Sequence, residues 1–293
     1  MKRARNFAIT WLMPLGTLLQ FILPRWLVTK IAIFIGGLAC RLSPRKREKL
    51  IENYRHILGR QRSQAELTQI ACRAFKNLAL FYADLLRVPV MKKRTALLGT
   101  FDPRNINRVL KQNRSAILVT AHIGNWDLAG VFLTALGYPL SAVVEPIPRG
   151  WTKTFDRYRR ACAMETIPIP EHNRINRAIE RGKIVALVAD RDLTGHGIIC
   201  PAFDAYRFFP KGPAVYALRH RIPVVIGYFI YQKRKNLPPY MGVIEPPIEF
   251  QPTANMDEDI HRLTSIIAFK LNQIISSYPD QWLVFNADWK CGK

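Results

Sequence analysis

Apolar residues fall along this chain in two different rhythms. From Phe7 to Leu23 no charged residue occurs, although Pro14 interrupts the run, and after Arg25 and Lys30 a second apolar stretch extends from Ile31 to Cys40. Pro44 marks a break, and residues 45–57 read as a basic helix. Ser63-Gln64-Ala65-Glu66 has the form of a capping box, with Ser63 as N-cap and Glu66 reaching back. The helix it opens places Leu67, Ile70, Ala71, Phe75, Leu78, Ala79 and Tyr82 at helical spacing, and Pro89 is expected beyond its end.

From about residue 115 the rhythm changes to short β-branched runs. Ala116–Thr120, Ser141–Val144, Ile184–Val188, Pro223–Ile230 and Met241–Ile244 read as buried strands. Helical stretches lie between or after them, at 126–136, 151–163, 172–181 and 212–220, and Asp257–Ser277 reads as a closing helix. Strands alternating with helices predict an α/β fold: a mixed, partly parallel central sheet flanked by helices, preceded by an N-terminal apolar helical segment. No internal repeat or low-complexity linker is visible. The expected division is a membrane-anchoring segment at 1–40 and one catalytic domain at 41–293.

Charge sharpens this picture. The chain has 44 Lys and Arg against 21 Asp and Glu, a formal charge of +23, which favours an anionic partner. Residues 1–60 alone hold twelve Lys or Arg against Glu48 and Glu52. Basic residues around an apolar start, with Arg45-Lys46-Arg47 just after it, fit anionic lipid on the cytoplasmic side of a membrane. A full span needs about 20 apolar residues, and the proline in the first run argues for a shallow hairpin or interfacial helices instead. Trp11 and Trp26 would then sit at headgroup level. Nucleic acid is excluded as the partner: no zinc-finger, helix-turn-helix or RNA-binding signature occurs, and the apolar start has no place in that reading. The five cysteines (Cys40, Cys72, Cys162, Cys200 and Cys291) are odd in number and lack a C-x-x-C pair. Their spacing supports neither a disulfide framework nor structural zinc, and it fits a reducing compartment.

The stretch that carries chemistry is Thr120-Ala121-His122-Ile123-Gly124-Asn125-Trp126-Asp127. A predicted strand ends at His122, Gly124 turns the chain, and a helix begins near Trp126. Ligands of open α/β sheets gather outside the carboxyl ends of the strands, where His122 stands. Asp127, in the first helical turn, can fold back toward the imidazole. A carboxylate on one ring nitrogen fixes the tautomer, and the other nitrogen can then take a proton from an attacking hydroxyl. No Gly-x-Ser-x-Gly elbow occurs, so a covalent acyl-enzyme is not suggested. Histidines 56, 172, 220 and 261 read as surface groups, and His196 as a loop residue after Asp192.

His122-Ile123-Gly124-Asn125-Trp126-Asp127 resembles the H-x4-D/E block of the lysophospholipid acyltransferase superfamily. The likeness is greatest to the bacterial branch of lipid A biosynthesis acyltransferases and phosphatidylinositol mannoside acyltransferases. Further stretches match in order: Val144-Glu145-Pro146, Phe155 to Arg160, Asp190-Arg191-Asp192-Leu193, Phe208 to Ala214, and Pro279-Asp280-Gln281-Trp282 with Trp289. Asp190-Arg191-Asp192-Leu193 leans toward the mannoside enzymes. Two positions depart from that branch: Asp204 stands where Gly is expected, and Ile198-Ile199-Cys200 supplies no acid.

The resemblance implies transfer of an acyl chain from acyl-CoA or acyl carrier protein to a lipid or glycolipid hydroxyl. His122 and Asp127 would be catalytic, and Glu145, Arg160, Asp190, Arg191 and Asp192 would bind substrate, with no metal and no cofactor. Glu145 and Arg160 would form an ion pair lining the site. Arg191 and the Arg157, Arg159 and Arg160 cluster offer guanidinium forks suited to phosphate. Lys211-Gly212-Pro213 reads as a helix start. The expected location is the cytoplasmic face of the bacterial inner membrane, monotopic or N-terminally anchored. The readings left open are a non-catalytic lipid-binding protein of the same fold and a thioesterase or phospholipase using the same base.

Overall fold

The structure is a computed structural model that describes residues 15–145, 159, 163–232 and 236–290, with Lys93 described by its backbone alone. The expected helix at 151–163 lies outside these residues except for Arg159 and Ala163, as do Trp11, Arg157, Arg160, Cys162 and Cys291.

Three helices come first: α1 (Arg25–Leu42), α2 (Pro44–Leu58) and α3 (Gln64–Met91). Residues 15–22 are also helical. The capping box forms as expected: Ser63 accepts from the Glu66 amide, and Glu66 accepts from the Ser63 amide. Pro89 lies inside α3, not beyond it. Buried Leu85 and Val88 hold the last turns against the core, and the chain continues from Met91 as a 3-10 turn over Lys92–Leu98. Packing thus carries the helix past a residue that alone would end it.

The strands are β1 (Gly99–Phe101), β2 (Ala116–Thr120), β3 (Leu140–Val144), β4 (Glu165–Pro168), β5 (Ile184–Val188), β6 (Ile198–Ala202), β7 (Ala205–Phe209), β8 (Val224–Tyr231) and β9 (Tyr240–Ile244). Seven form one sheet in the order β1-β9-β8-β2-β5-β3-β4. Every neighbour in it is parallel except β8 with β9. The remaining two make an antiparallel hairpin, β6–β7. The helices α4 (Arg104–Asn113), α5 (Trp126–Ala135), α6 (His172–Glu180), α7 (Gly212–His220) and α8 (Met256–Ser277) complete the chain. The apolar runs of β2, β5 and β8 are the central strands, as expected of strands covered on both faces. The sheet is mixed and mostly parallel. The strands at β1, β4 and the hairpin, and the helix α4, were not among the elements expected.

The N-terminal helix is fastened to the rest. At Gly36 a side chain would meet the backbone of Phe75 and Lys76 at 2.6–2.9 Å, so α1 and α3 cross at backbone contact. One turn further on, Cys40 and Cys72 form a disulfide with their Cα atoms 5.4 Å apart. This corrects the expectation drawn from cysteine spacing: the partners are 32 residues apart and meet only because two helices pack. At the other end of α1, Arg25 pairs with buried Asp84 at 3.2 Å, and Asp84 also accepts from the Tyr240 hydroxyl at 2.8 Å. The expected boundary at 40/41 falls within the last turn of α1.

Outward, Phe21, Ile22, Trp26, Phe34, Ile35 and Leu42 are each more than half exposed. Among the described residues no single helix is long and apolar enough to cross a membrane.

Candidate active site

The turn from β2 into α5 is built to close tolerance. Gly124 has φ +60°, and a side chain there would lie 2.0 Å from the Phe229 carbonyl oxygen of β8. Only glycine combines that backbone conformation with that approach. Asn125 then caps α5, its side chain accepting from the Leu128 amide at 3.0 Å. The C-terminal segment braces the turn from behind. Gly124 donates to the Gln281 carbonyl at 2.9 Å, and Leu283 donates to the His122 carbonyl at 2.8 Å.

His122, thus fixed, meets a carboxylate at 2.7 Å through Nδ1, and that carboxylate is Asp190, just beyond β5. Asp190 is fully buried. Its second oxygen accepts from Trp282 Nε1 at 2.7 Å, and its carbonyl accepts from Arg207 at 2.7 Å. Burial opposes its ionisation. That effect is outweighed by the charge and hydrogen bond of His122, the charge of Arg207 and the hydrogen bond from Trp282, which together hold it well below the usual carboxylate range. An ionised carboxylate only accepts, so His122 carries its proton on Nδ1. Its Nε2 has no hydrogen-bond partner among the described residues.

Asp127 sits in the first turn of α5 as expected, but the hydrogen bond to the imidazole is not its own. Its Oδ1 accepts from Nε and Nη2 of Arg159 at 2.9 and 2.7 Å, with both side chains nearly covered. Arg159 is therefore not part of a solvated face.

Both His122 and the Asp127–Arg159 pair line one cavity of about 410 Å³, within the range of small-molecule sites. Its lining is mostly apolar and includes Phe81, Phe101, Trp126, Phe132, Met164 and Phe229. Glu145 lies exposed on the same wall, and its expected partner Arg160 is outside the described residues. Asp192 is spent on its own loop, accepting from the amides of Thr194 at 2.9 Å and Gly197 at 2.7 Å. Arg191 lines a neighbouring cavity. Lys211-Gly212-Pro213 does start a helix, α7. No cluster of three or more metal-ligating side chains occurs among the described residues.

Two further residues shape the site. In the sequence Trp282 stands out only as part of a closing motif. Arg207 belongs to no motif, yet it is buried among the rings of Trp282, Trp289 and Phe209, with its guanidinium carbon 5.0–5.6 Å from their centres. Its position gave a signal: in Ala205-Tyr206-Arg207-Phe208-Phe209 the odd-numbered residues point inward, and an arginine on the inner phase of a strand needs a reason. His56 is not a surface group either. Its ring stacks on Trp289 at 4.3 Å and pairs with Asp204, the residue standing where glycine was expected.

The site thus joins a histidine after β2, its buried carboxylate after β5 and an apolar cavity that the histidine lines. The family model for bacterial lipid A biosynthesis acyltransferase matches residues 2–291. The chain belongs to that family. Among curated members, the phosphatidylinositol mannoside acyltransferase of Mycobacterium tuberculosis (strain ATCC 25618 / H37Rv) is 22% identical over 254 residues, covering 83% of this chain and 77% of the relative. That of Mycolicibacterium smegmatis is 23% identical over 252 residues, covering 83% and 79%. The resemblance read from the motifs is thereby shown, and the protein is a lipid acyltransferase by family.

Proposed function

We propose that this acyltransferase moves a fatty acyl chain from an acyl thioester, acyl-CoA or acyl carrier protein, to a hydroxyl of a lipid or glycolipid acceptor. The observation that carries the reading is His122, oriented by a buried carboxylate, with Nε2 unspent and the residue lining an apolar cavity. Nε2 takes the acceptor's hydroxyl proton as the oxygen attacks the thioester carbonyl. The tetrahedral centre collapses, the C–S bond breaks, and the leaving thiolate recovers the proton from Nε2. Asp190 stabilises the imidazolium in between. No resident cofactor is required, because the thioester supplies the activated acyl group. The acyl chain occupies the apolar depth, and the Asp127–Arg159 pair and Glu145 form the polar mouth. The relatives' names favour a phosphorylated glycolipid as acceptor.

The same reading places the exposed apolar residues of α1 in the headgroup region of the bacterial inner membrane, on its cytoplasmic face, with the basic residues of the first 60 against anionic lipid. Phe34 and Ile35 are 71% and 53% exposed, so charge there costs the fold little. Phe34→Glu with Ile35→Glu is expected to leave the melting temperature unchanged and to abolish co-sedimentation with vesicles of phosphatidylglycerol. Undiminished co-sedimentation would remove α1 from the membrane contact. The Cys40–Cys72 disulfide bears on the location as well, since a reducing compartment holds such a pair as two thiols.

The activity itself is tested by transfer of a labelled acyl chain from acyl-CoA and from acyl carrier protein to a total lipid extract. His122→Ala is expected to lower product formation by about 10²–10⁴-fold, the usual contribution of a general base. Labelled free fatty acid released at the same rate without any acceptor would identify a hydrolase instead.

A further inference from the structure

A second cavity of about 540 Å³ adjoins the first. The two share Val143, Ile169, Leu187, Val188 and Leu193, so they meet at the carboxyl ends of β3 and β5. The walls of the second come from α6, the loop after Asp190 and the start of α7. Its floor is apolar, with Ile175, Pro213 and Val215, and its rim is not. Arg191, Lys211 and Arg219 all line it, together with His172 and His196, and among the described residues no carboxylate does. None of the three cations makes an ion pair with a described residue. Elsewhere on the molecule, Arg159, Arg174, Lys183, Arg262 and Lys270 each have a carboxylate partner. His172 is held in place by the Tyr216 hydroxyl at 2.6 Å.

Three like charges converging on one concavity repel each other until an anion arrives, and guanidinium forks match phosphate oxygens in pairs. The apolar floor calls for more than a bare ion: it fits the organic body that carries the phosphate. We propose that this second cavity binds the phosphorylated head of a substrate whose thioester arm or acyl-bearing body crosses the β3–β5 edge toward His122. The identification of that head as a substrate's rests on the acyltransferase reading above. Two sources share the chemistry, the phosphates of the thioester donor and the phosphate of a lipid acceptor.

The test is a calorimetric titration of the full chain with inorganic pyrophosphate at fixed ionic strength. Lys211 and Arg219 are exposed, and the Lys211 side chain makes no capping bond, so Lys211→Ala with Arg219→Ala is expected to fold as the parent does. Arg108→Ala with Lys111→Ala, an equal loss of charge on the exposed side of α4, controls for the general positive field. The expected result is an affinity loss of roughly tenfold or more in the first variant and none in the second. Equal losses in both, or no loss in either, overturn the site. Displacement of pyrophosphate by coenzyme A assigns the cavity to the donor, and displacement by a soluble short-chain phosphatidylinositol assigns it to the acceptor. Displacement by neither overturns the proposal even where pyrophosphate binds. Because the readout is binding, it stands or falls apart from the effect of His122→Ala on transfer.

Discussion

Asp190→Asn is expected to reduce turnover by on the order of 10⁴-fold while leaving the protein folded, the size of effect known for the equivalent change in a serine-protease triad. The reason lies in donor and acceptor counting. Asp190 accepts from two donors, His122 Nδ1 and Trp282 Nε1. Asparagine offers one accepting oxygen and one donating nitrogen. The indole N–H can only donate, so the amide oxygen faces Trp282 and the amide nitrogen faces His122. The imidazole must then accept at Nδ1 and carry its proton on Nε2, where it can no longer take one from the acceptor hydroxyl. Nitrogen-15 spectra of His122 check this directly, since the variant should display the opposite tautomer. Asp127→Asn alters the contact to Arg159, not the one to the ring, and its His122 spectrum should match the parent whatever its turnover. A tautomer switch in Asp127→Asn but not in Asp190→Asn would return the orienting role to Asp127.

The difference between these two aspartates marks how far the sequence could be read. Local features were legible: the strand from Ala116 to Thr120, the turn at Gly124, the helix from Trp126 and the capping box at Ser63 all follow from neighbouring residues. His122 was found because strand end, glycine turn and helix start converge on it. Its partner was sought five residues away because short spacing is visible and long spacing is not. Asp190 is 68 positions downstream, and its contact exists because β2 and β5 pair in parallel, with Thr120 opposite Val188, so that residues two beyond each strand meet. The Cys40–Cys72 bond and the Trp282 brace escaped for the same reason, since both depend on packing between distant segments. Edge strands such as β1, three residues long and only half buried, carry too little periodicity to be seen at all.

Arg207 is the residue for which packing matters most, and removing its charge should change the pH dependence of the reaction and not merely its rate. The guanidinium is buried in an aromatic box, donates to the Asp190 carbonyl, and leaves Nε and Nη1 without a partner among the described residues. Burial lowers its pKa, and the charge of Asp190 works against that. Such a group is costly to keep. Its return is electrostatic: it helps Asp190 stay ionised without access to water. For a carboxylate depressed in this way, the stabilisation it contributes is fully present above the unfolded value of about 3.9 and is lost as pH falls through the lower native value. In Arg207→Met, of similar length and apolar, that native value rises, so the carboxylate is lost at a less acid pH. The acid limb of the kcat/KM profile, which reports protonation of the base, should shift upward by about one pH unit, because the buried cation that opposed a second proton on the His122–Asp190 pair is gone. Arg207→Lys should restore part of the shift, because the charge returns without the fork. A purely structural role would instead lower the melting temperature and depress kcat/KM equally at every pH. A parallel, unshifted profile in Arg207→Met would leave Arg207 as a packing residue and place the ionisation of Asp190 on His122 and Trp282 alone.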